Sequence, residues 1–400
     1  MRVLLTTTGH AGHVLPLVPL ARACLRAGHE VRVAVPASRS GDVINAGLHS
    51  LPLADPPEDE SWPVLESSLD VSPDEANRRV IGEIFGRINT TAALPGVLGI
   101  VEAWRPDVIV RESYELAGLL AAELRGIPHV RAAVGLALME EQVRAYVTGS
   151  LDRLRAELDL SSDPDGDSLS SPYLTLTPPS LEDPRFRVPA APHRFRDPQA
   201  AAARPLPDWW PGNRDPLVYV SFGSVAAGVG FFPALYAEAA AALAEMPIRV
   251  LMTLGHGPDP NELGPLPDNV HVEAWVAQAD VAAEASVIVG HGGYGSTLGA
   301  LAAGVPLAVL PLFADQPYNA RRVAEAGAGV VAAPARPLSQ SLADPAGNGA
   351  AVARSVQQLL ESPRHREAAA DIAAEIDSLP AVDAAVGVLE SAAREALAVA

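Results

Sequence analysis

The chain has 400 residues, of which 48% are hydrophobic, and a formal net charge of -19 at pH 7. The length suits two domains of common size, and the negative charge argues against binding to nucleic acid or to an anionic lipid surface. No apolar run is long enough to span a bilayer and the N-terminus lacks a secretory-signal pattern, so we expect a cytoplasmic protein without a membrane span.

Short β-branched runs alternate with helical patterns in the first half of the chain. Strands are predicted at residues 2–7, 30–35, 107–112 and 129–134, and a helix at residues 17–26. Strands separated by helices imply right-handed parallel crossovers, so this pattern predicts a doubly wound α/β sheet. Two polar segments, residues 56–70 and 161–171, are expected to be mobile loops.

The strand pattern restarts in the second half of the chain. Strands are predicted at residues 217–222, 249–254, 270–275, 287–289 and 307–310. A Pro- and Ala-rich stretch before them, within residues 197–216, is typical of a linker because proline blocks regular pairing. The predicted organisation is an N-terminal domain (1–200), a linker (201–216), a C-terminal domain (217–385) and a last helix (386–400). Ligands should then bind in the cleft between the two sheets.

The first predicted strand runs into a turn, residues 9–16, that contains glycines, two histidines and Pro16. Proline suits the first turn of a helix, so the turn places His13 at a helix N-terminus. The helix dipole disfavours an imidazolium there, so we expect a neutral ring able to act as a general base. His10 is a second candidate for the base, further from the helix.

Glu112 ends a predicted strand and would lie beside His13 if the two strands are neighbours. A carboxylate there can orient the imidazole and stabilise the imidazolium as it forms. Taken singly, a histidine after a strand is as often a capping or core residue, and a glutamate at a strand end often pairs with an arginine. Both interpretations stay open on the residues alone.

A glycine-rich turn after a strand dominates the second half of the chain. It spans residues 289–297 and leads into a helix expected to begin near Ser296, an arrangement that presents amides and hydroxyls to an anion such as a diphosphate. No basic side chain is nearby in the sequence, so hydrogen bonds and dipoles would neutralise the leaving diphosphate, without a metal. Tight packing alone is the alternative explanation of such a turn. The residues expected to bind the donor are Ser224, Trp275, Val276, Gln278, His291, Gly293, Ser296, Thr297, Asp315 and Gln316.

Two features bear on cofactors. Asp163, Asp165 and Asp167 have the Asp-x-Asp spacing of metal-dependent transferases, but no predicted strand flanks them, so a solvated loop is favoured. We therefore predict no metal site and no cofactor. The nucleotide sugar would be a co-substrate.

Over nearly its whole length, the chain resembles the family 1 inverting glycosyltransferases of GT-B fold, and among them the bacterial enzymes that modify natural products. The likeness rests on the Gly-His-Val-x-Pro opening at residues 12–16 and on the donor signature over residues 275–316. It implies two Rossmann-like domains facing a cleft, with the last helix packed back on the N-terminal domain. It also implies His13 as base, Glu112 as its acidic partner where the family usually has aspartate, and Trp275 as the residue that stacks on the nucleobase.

One departure from the family pattern bears on the donor. Plant relatives have a glutamate that holds the ribose hydroxyls where this chain has Gly299. Loss of that carboxylate fits a donor without a 2′-hydroxyl, which favours a dTDP-sugar over a UDP-sugar. The acceptor is expected to be a hydrophobic aglycone bound by loops of the N-terminal domain, with candidate contacts at His10, Trp62, Phe85, Met139 and Tyr146.

Two other functions fit the same architecture. A nucleotide-sugar epimerase would act on the donor alone, and a non-catalytic helper protein would retain the fold without transferring sugar. A complete donor signature and an intact His13 argue against the helper. The sequence is compatible with a monomer or a homodimer.

Overall fold

The computed structural model describes residues 1–9, 11–186, 191–198 and 203–399. Within these ranges the chain forms two wholly parallel sheets, which confirms the predicted α/β architecture. The first sheet has the order β3-β2-β1-β4-β5-β6-β7 and the second has the order β10-β9-β8-β11-β12-β13. The strands of the first sheet are β1 (Arg2–Thr6), β2 (Glu30–Pro36), β3 (Ser50–Leu53), β4 (Val108–Glu112), β5 (His129–Ala132), β6 (Tyr173–Thr175) and β7 (Pro192–Arg194). Those of the second are β8 (Leu217–Ser221), β9 (Arg249–Thr253), β10 (Val270–Glu273), β11 (Ala285–Gly290), β12 (Leu307–Val309) and β13 (Gly329–Val331).

Helices follow most of the strands. In the N-terminal half they are α1 (Ala11–Val14), α2 (Val18–Arg26), α3 (Ser40–Asn45), α4 (Glu58–Glu66), α5 (Pro73–Arg79), a π-helix (Val80–Asn89), α6 (Thr90–Trp104), α7 (Ala117–Arg125) and α8 (Ala137–Glu157). In the C-terminal half they are α9 (Ala234–Leu243), α10 (Gln278–Ala282), α11 (Tyr294–Ala302), α12 (Gln316–Glu325), α13 (Leu338–Leu342), α14 (Pro345–Glu361), α15 (Pro363–Ser378) and α16 (Ala385–Val399).

In each sheet the strand order reverses at the first strand of that sheet. β1 lies between β2 and β4, and β8 lies between β9 and β11. In open α/β sheets, loops on either side of such a reversal diverge and leave a crevice at the carboxyl ends of the strands. His13 follows β1 and Glu112 ends β4. These two strands are paired neighbours, which is the condition for His13 and Glu112 to lie side by side.

The end of the chain returns to the N-terminal domain. The Arg196 amide donates to the Pro380 carbonyl at 2.9 Å, and the Val382 amide donates to the Arg196 carbonyl at the same distance. α16 then contributes Val386 and Leu389 to the apolar core beneath β1 and β2. The last helix therefore packs on the N-terminal sheet, although it follows the C-terminal domain in sequence.

Helices α5 and α6 and the π-helix between them form one continuous helix of 32 residues, Pro73–Trp104. By length and composition alone this helix could cross a membrane. Its apolar face, including Ile84, Val97 and Val101, packs into the core of the N-terminal domain against α7 and α8. Of its most apolar 18-residue stretch, 33% is buried in this way.

The expectation of a loop over residues 56–70 is wrong, because α4 occupies Glu58–Glu66. Three acidic residues in its first turn, Glu58, Asp59 and Glu60, favour the helix N-terminus through the dipole, despite the proline at position 63. The second expected loop, residues 161–171, contains a 3₁₀ turn at Asp167–Leu169. The carboxylate of Asp163 closes this turn by accepting from the amides of Asp167 and Ser168 at 2.8 and 2.9 Å.

Candidate active site

His13 and Glu112 form a hydrogen-bonded pair at the carboxyl edge of the first sheet. Nδ1 of His13 lies 3.1 Å from Oε1 of Glu112. The Thr8 hydroxyl donates to the same carboxylate oxygen at 2.7 Å, and the Tyr114 amide donates to Oε2 at 2.7 Å. The Glu112 side chain is fully buried, whereas that of His13 keeps 17% exposure. The carboxylate is thus fixed from several sides, and the imidazole reaches the cleft.

The helix dipole does not set the direction of the pKa shift of His13, because nearby carboxylates outweigh it. Burial lowers the pKa of His13, but the charge and hydrogen bond of Glu112, together with the charge of Asp315, outweigh burial and raise this pKa above 6.5. Burial conversely raises the pKa of Glu112, and the His13 charge with the surrounding hydrogen bonds brings it below its ordinary value. A short helical turn contributes only partial charges, whereas the neighbouring carboxylate carries a full one.

Two aromatic rings pack around the imidazole. The Phe85 ring centroid lies 5.4 Å from that of His13 and the Tyr114 centroid lies 5.2 Å from it, while the two aromatic rings are 5.1 Å apart. Phe85 comes from the π-helix and Tyr114 from the loop after β4. The rings restrict the imidazole orientation and line the base with apolar surface.

The glycine turn predicted to bind a diphosphate connects β11 to α11. The helix begins at Tyr294, two residues before the predicted start, with Gly293 as its N-cap. Burial lowers the pKa of His291 to about 4, so its ring is neutral. Its Nδ1 is buried, and no hydrogen-bond partner for it is found among the described residues; the same holds for the Thr297 hydroxyl. Such orphaned polar atoms fit a site that is completed by a polar ligand.

Two glycines make room for the His291 ring. A Cβ atom on Gly293 would lie 2.4 Å from Nε2 of His291, and one on Gly223 would lie 2.6 Å from Cε1. Gly223 also has a φ of +79°, in the region that disfavours side chains. The turn after β8, which the sequence analysis associated with phosphate binding through Ser224, therefore packs directly against His291.

Asp315 ends the loop after β12 and is the N-cap of α12, which begins at Gln316. Burial raises the pKa of Asp315 to about 6. Asn319 donates to Oδ2 of Asp315 at 2.7 Å and to the Gly292 carbonyl at 2.8 Å, linking this carboxylate to the glycine turn. Oε1 of Gln316 accepts from the amides of Leu312 and Phe313 at 2.8 and 3.0 Å, so its side chain holds the loop together.

The two halves of the predicted site face each other. The charge of Asp315 adds to that of Glu112 in raising the pKa of His13. The Tyr294 hydroxyl at the start of α11 lies 3.0 Å from the Thr177 hydroxyl, which follows β6 of the other sheet. The base candidate and the glycine turn therefore border one cleft.

The other predicted donor residues lie around the glycine turn. Trp275 follows β10 and is 62% exposed, which rules out core filling as the explanation of this indole. Gln278 donates from Nε2 to the Ser296 carbonyl at 2.7 Å. A Cβ atom on Gly299 would lie 3.2 Å from that same Nε2, so Gln278 occupies the space beside the glycine. Val276 is partly buried and packs on the same domain core.

The candidate acceptor residues fall in different surroundings. Phe85 contacts His13 as described, and Met139 is buried with 1% exposure beneath Gly135. Trp62 is 63% exposed on α4. Tyr146 lies in a groove between the long helix Pro73–Trp104 and α8 together with three arginines, Arg78, Arg79 and Arg153. His10 lies outside the described residues.

Several residues of the site escaped the sequence analysis. Thr8 bonds to Glu112, Tyr114 packs on His13, and Asn319 bridges Asp315 to the glycine turn. Thr8 directly precedes the glycine turn and Asn319 stands one helical turn after Asp315, so position relative to a recognised motif was the available signal.

Comparison with known proteins places the chain in a family. The profiles of the N-terminal and C-terminal domains of erythromycin biosynthesis protein CIII-like proteins match residues 22–211 and 237–391. The chain belongs to the erythromycin biosynthesis protein CIII-like family. The relatives of this chain include the L-demethylnoviosyl transferase of Streptomyces niveus and the elloramycin glycosyltransferase ElmGT of Streptomyces olivaceus. The first is 34% identical over 82% of this chain and 84% of its own, and the second is 31% identical over 95% and 94%.

Solved structures agree with this assignment to the CIII-like family. The glycosyltransferase SnogD from Streptomyces nogalater is 28% identical, with a TM-score of 0.75 over 98% of this chain and 99% of its own. The spinosyn rhamnosyltransferase SpnG complexed with thymidine diphosphate is 25% identical, with a TM-score of 0.78 over 98% and 100%. These neighbours confirm the GT-B fold, and the named relatives support glycosyltransferase activity in this CIII-like protein.

Proposed function

We propose that this protein is an inverting glycosyltransferase that moves a hexose, of the deoxysugar type, from a dTDP-sugar to a hydroxyl group of a hydrophobic natural product. The observation that carries the proposal is the His13–Glu112 pair, which shares one cleft with Asp315 and the neutral His291 turn. A base and an anion cradle on opposite sides of a cleft suit an in-line displacement at a carbon held between them.

In the proposed reaction, His13 removes the proton of the acceptor hydroxyl as its oxygen bonds to the anomeric carbon. The bond from that carbon to the diphosphate breaks in the same step, so the configuration inverts. The contact of Nδ1 with Glu112 directs Nε2 toward the acceptor, and Glu112 stabilises the imidazolium that forms. The amides at the start of α11, with His291, stabilise the charge that develops on the leaving diphosphate.

Three features support the choice of donor. Gln278 fills the space beside Gly299, where plant relatives have a ribose-binding carboxylate. SpnG, a structural neighbour at 25% identity, was solved with thymidine diphosphate. The exposed face of Trp275 is suitable for stacking on a pyrimidine. Asp315 and Gln316 would bind sugar hydroxyls, and we propose that no metal is needed because α11 and His291 supply the stabilisation.

The test is a donor panel followed by a transfer assay. Thermal shifts of the purified protein with dTDP, UDP and their sugar conjugates identify the donor, and dTDP-sugars should give the largest shifts. Transfer to polyketide, aromatic and macrolide aglycones is then assayed with and without EDTA, and NMR gives the anomeric configuration of the product. Conversion of the donor without an acceptor would identify an epimerase. Donor binding without any turnover would favour a helper protein.

Loss of transfer in EDTA would refute metal independence, and retention of the donor's configuration would refute the single displacement. The cytoplasmic location and the choice between monomer and homodimer stay predictions.

A further inference from the structure

One helix connects both halves of the cleft. The continuous helix Pro73–Trp104 begins beside the C-terminal domain and continues past His13. Near its start, Nδ2 of Asn77 donates to the Ala314 carbonyl at 3.0 Å, and the Asp74 carboxylate accepts from the Tyr318 hydroxyl. Asn77 is 6% exposed, so its amide is committed to this contact and largely shielded from water. The acceptor-side domain thus directly contacts the loop that carries Asp315.

The loop it contacts has an uncommon backbone. Ala314 has a φ of +56°, a left-handed conformation that a residue with a side chain adopts rarely. From within the C-terminal domain, Oε1 of Gln316 binds the amides of Leu312 and Phe313 on the same loop. From the N-terminal domain, Asn77 binds the carbonyl of Ala314 itself. The direction of the next residue, Asp315, therefore depends on a hydrogen bond from each domain.

The π-helical segment brings Asn77 and Phe85 to the same side of this helix. With about 100° per residue in an α-helix, two residues eight positions apart would diverge by roughly 80°. A π-helical residue turns by less, roughly 80°, and five of those eight steps fall in the π-helix Val80–Asn89, so the divergence shrinks to roughly 20°, in the opposite sense. A bond from the Thr90 hydroxyl to the Phe85 carbonyl, five residues earlier, accompanies this geometry. One face thus contacts the Asp315 loop through Asn77 and the His13 ring through Phe85.

We propose that Asn77 is a positioning residue for the sugar half of the donor. By holding the Ala314 carbonyl, it sets the carboxylate of Asp315 at a fixed position relative to His13. This inference rests on the proposed function, in which Asp315 binds the sugar hydroxyls. It adds a donor-positioning residue that belongs to the acceptor-side domain.

The decisive variant is Asn77→Asp, which has the same shape but places an oxygen against the Ala314 carbonyl instead of an N–H donor. We expect kcat for transfer to fall by about 100-fold, the size of effect that a small misplacement of reacting groups produces. The Kd for the dTDP-sugar should rise, while the Kd for dTDP alone stays within about twofold of wild type, because the diphosphate contacts lie on α11. Asn77→Ala should change the same quantities in the same direction.

Two matched controls separate positioning from folding and from domain docking. Glu102→Ala alters the far end of the same helix, where the side chain forms a solvent-exposed ion pair with Arg125, and should leave activity unchanged and Tm within a few degrees of wild type. Asp74→Ala removes the acceptor of the Tyr318 hydroxyl, a second bond between α5 and the C-terminal domain, without involving the Ala314 carbonyl, and should lower kcat by less than about threefold. An equal loss in Asp74→Ala and Asn77→Asp would overturn the inference, since general docking would then explain both.

The transfer assay and the two Kd measurements together distinguish failure of this inference from failure of the proposed function. If the wild-type protein transfers no sugar from any donor, the proposed function fails. If it does transfer sugar, and Asn77→Asp keeps wild-type kcat or loses affinity equally for dTDP and the dTDP-sugar, only the role of Asn77 fails. A Tm of Asn77→Asp within a few degrees of wild type shows that the comparison concerns folded protein.

Discussion

The two domains each place a largely buried histidine at the cleft, and the two rings have opposite charge behaviour. His13 lies against the carboxylate of Glu112, which overcomes the effect of burial and raises the pKa of the imidazole. His291 is packed between glycines without an acidic partner, so burial dominates and its pKa falls to about 4. The comparison teaches that neighbouring carboxylates decide whether the pKa of a buried imidazole lies above or below its ordinary value.

The largest effect should come from removing the ring that can take up a proton. His13→Ala is expected to lower kcat by about 10³-fold, because a positioned general base contributes an effect of this size. The Kd for the dTDP-sugar should stay close to wild type, since His13 acts on the acceptor hydroxyl. Steady-state kinetics and calorimetry measure the two quantities. Wild-type turnover in His13→Ala would remove the base assignment.

Glu112→Gln tests the origin of the difference between the two rings. The variant keeps the shape but removes the negative charge, so burial should lower the pKa of His13 as it lowers that of His291. We expect kcat to fall by about 100-fold, because the imidazolium formed in the reaction loses its partner.

The direction in which the pH profile of the Glu112→Gln variant shifts relative to wild type can be measured. In the wild type, kcat/KM should rise with pH through a pKa above 6.5, because His13 must lose its proton to act as base. In the variant this rise, the acidic limb of the pH profile, should move to lower pH. The titration of Asp315, whose pKa is about 6, should then remain visible in the profile. A pH profile with an unchanged limb would show that Glu112 does not set the charge of His13.

His291 should behave differently from His13 in the same assay. Replacing His291 by Leu removes a neutral hydrogen-bonding group, so we expect kcat/KM to fall by roughly tenfold at every pH, with no movement of the acidic limb. Because the pKa of His291 is about 4, its titration lies below the range in which the limb appears. His291→Asn keeps an N–H donor and is the matched control. A pH-dependent loss in His291→Leu would contradict the assigned charge state.

The sequence was sufficient to recognise those site residues that directly follow or end a predicted strand. Residues after β1 and β4 had to meet at the carboxyl edge of the first sheet, so the turn with His13 and the strand-end Glu112 were recognised. The glycine turn after β11 was recognised in the same way at the carboxyl edge of the second sheet. The direction of the pKa shift of His13 was missed because it depends on distances to Glu112 and Asp315, which spacing along the chain does not supply.

Other features of the site depend on contacts made only after folding. α4 was taken for a loop because its proline and acidic residues are also typical of loops, although the same acidic residues stabilise a helix N-terminus. Asn77 carries no spacing signal, because an amide becomes informative only once the carbonyl that it binds is known. Asn319 has only its position one helical turn after Asp315. Polar residues that hold other residues in place are therefore the part of the site that sequence patterns reveal least.

The smallest effect should come from Thr8, which supports the carboxylate rather than the ring. Its hydroxyl donates to Oε1 of Glu112 at 2.7 Å and lies 3.1 Å from Nδ1 of His13. Thr8→Val keeps the shape and removes this donor, which costs about 1 kcal/mol of support for the ionised carboxylate. We expect kcat/KM to fall by roughly fivefold, the rate equivalent of that energy. The acidic limb should shift only slightly, since the charge on Glu112 remains. A shift as large as that of Glu112→Gln would mean that Thr8, rather than the carboxylate alone, determines how this imidazole differs from His291.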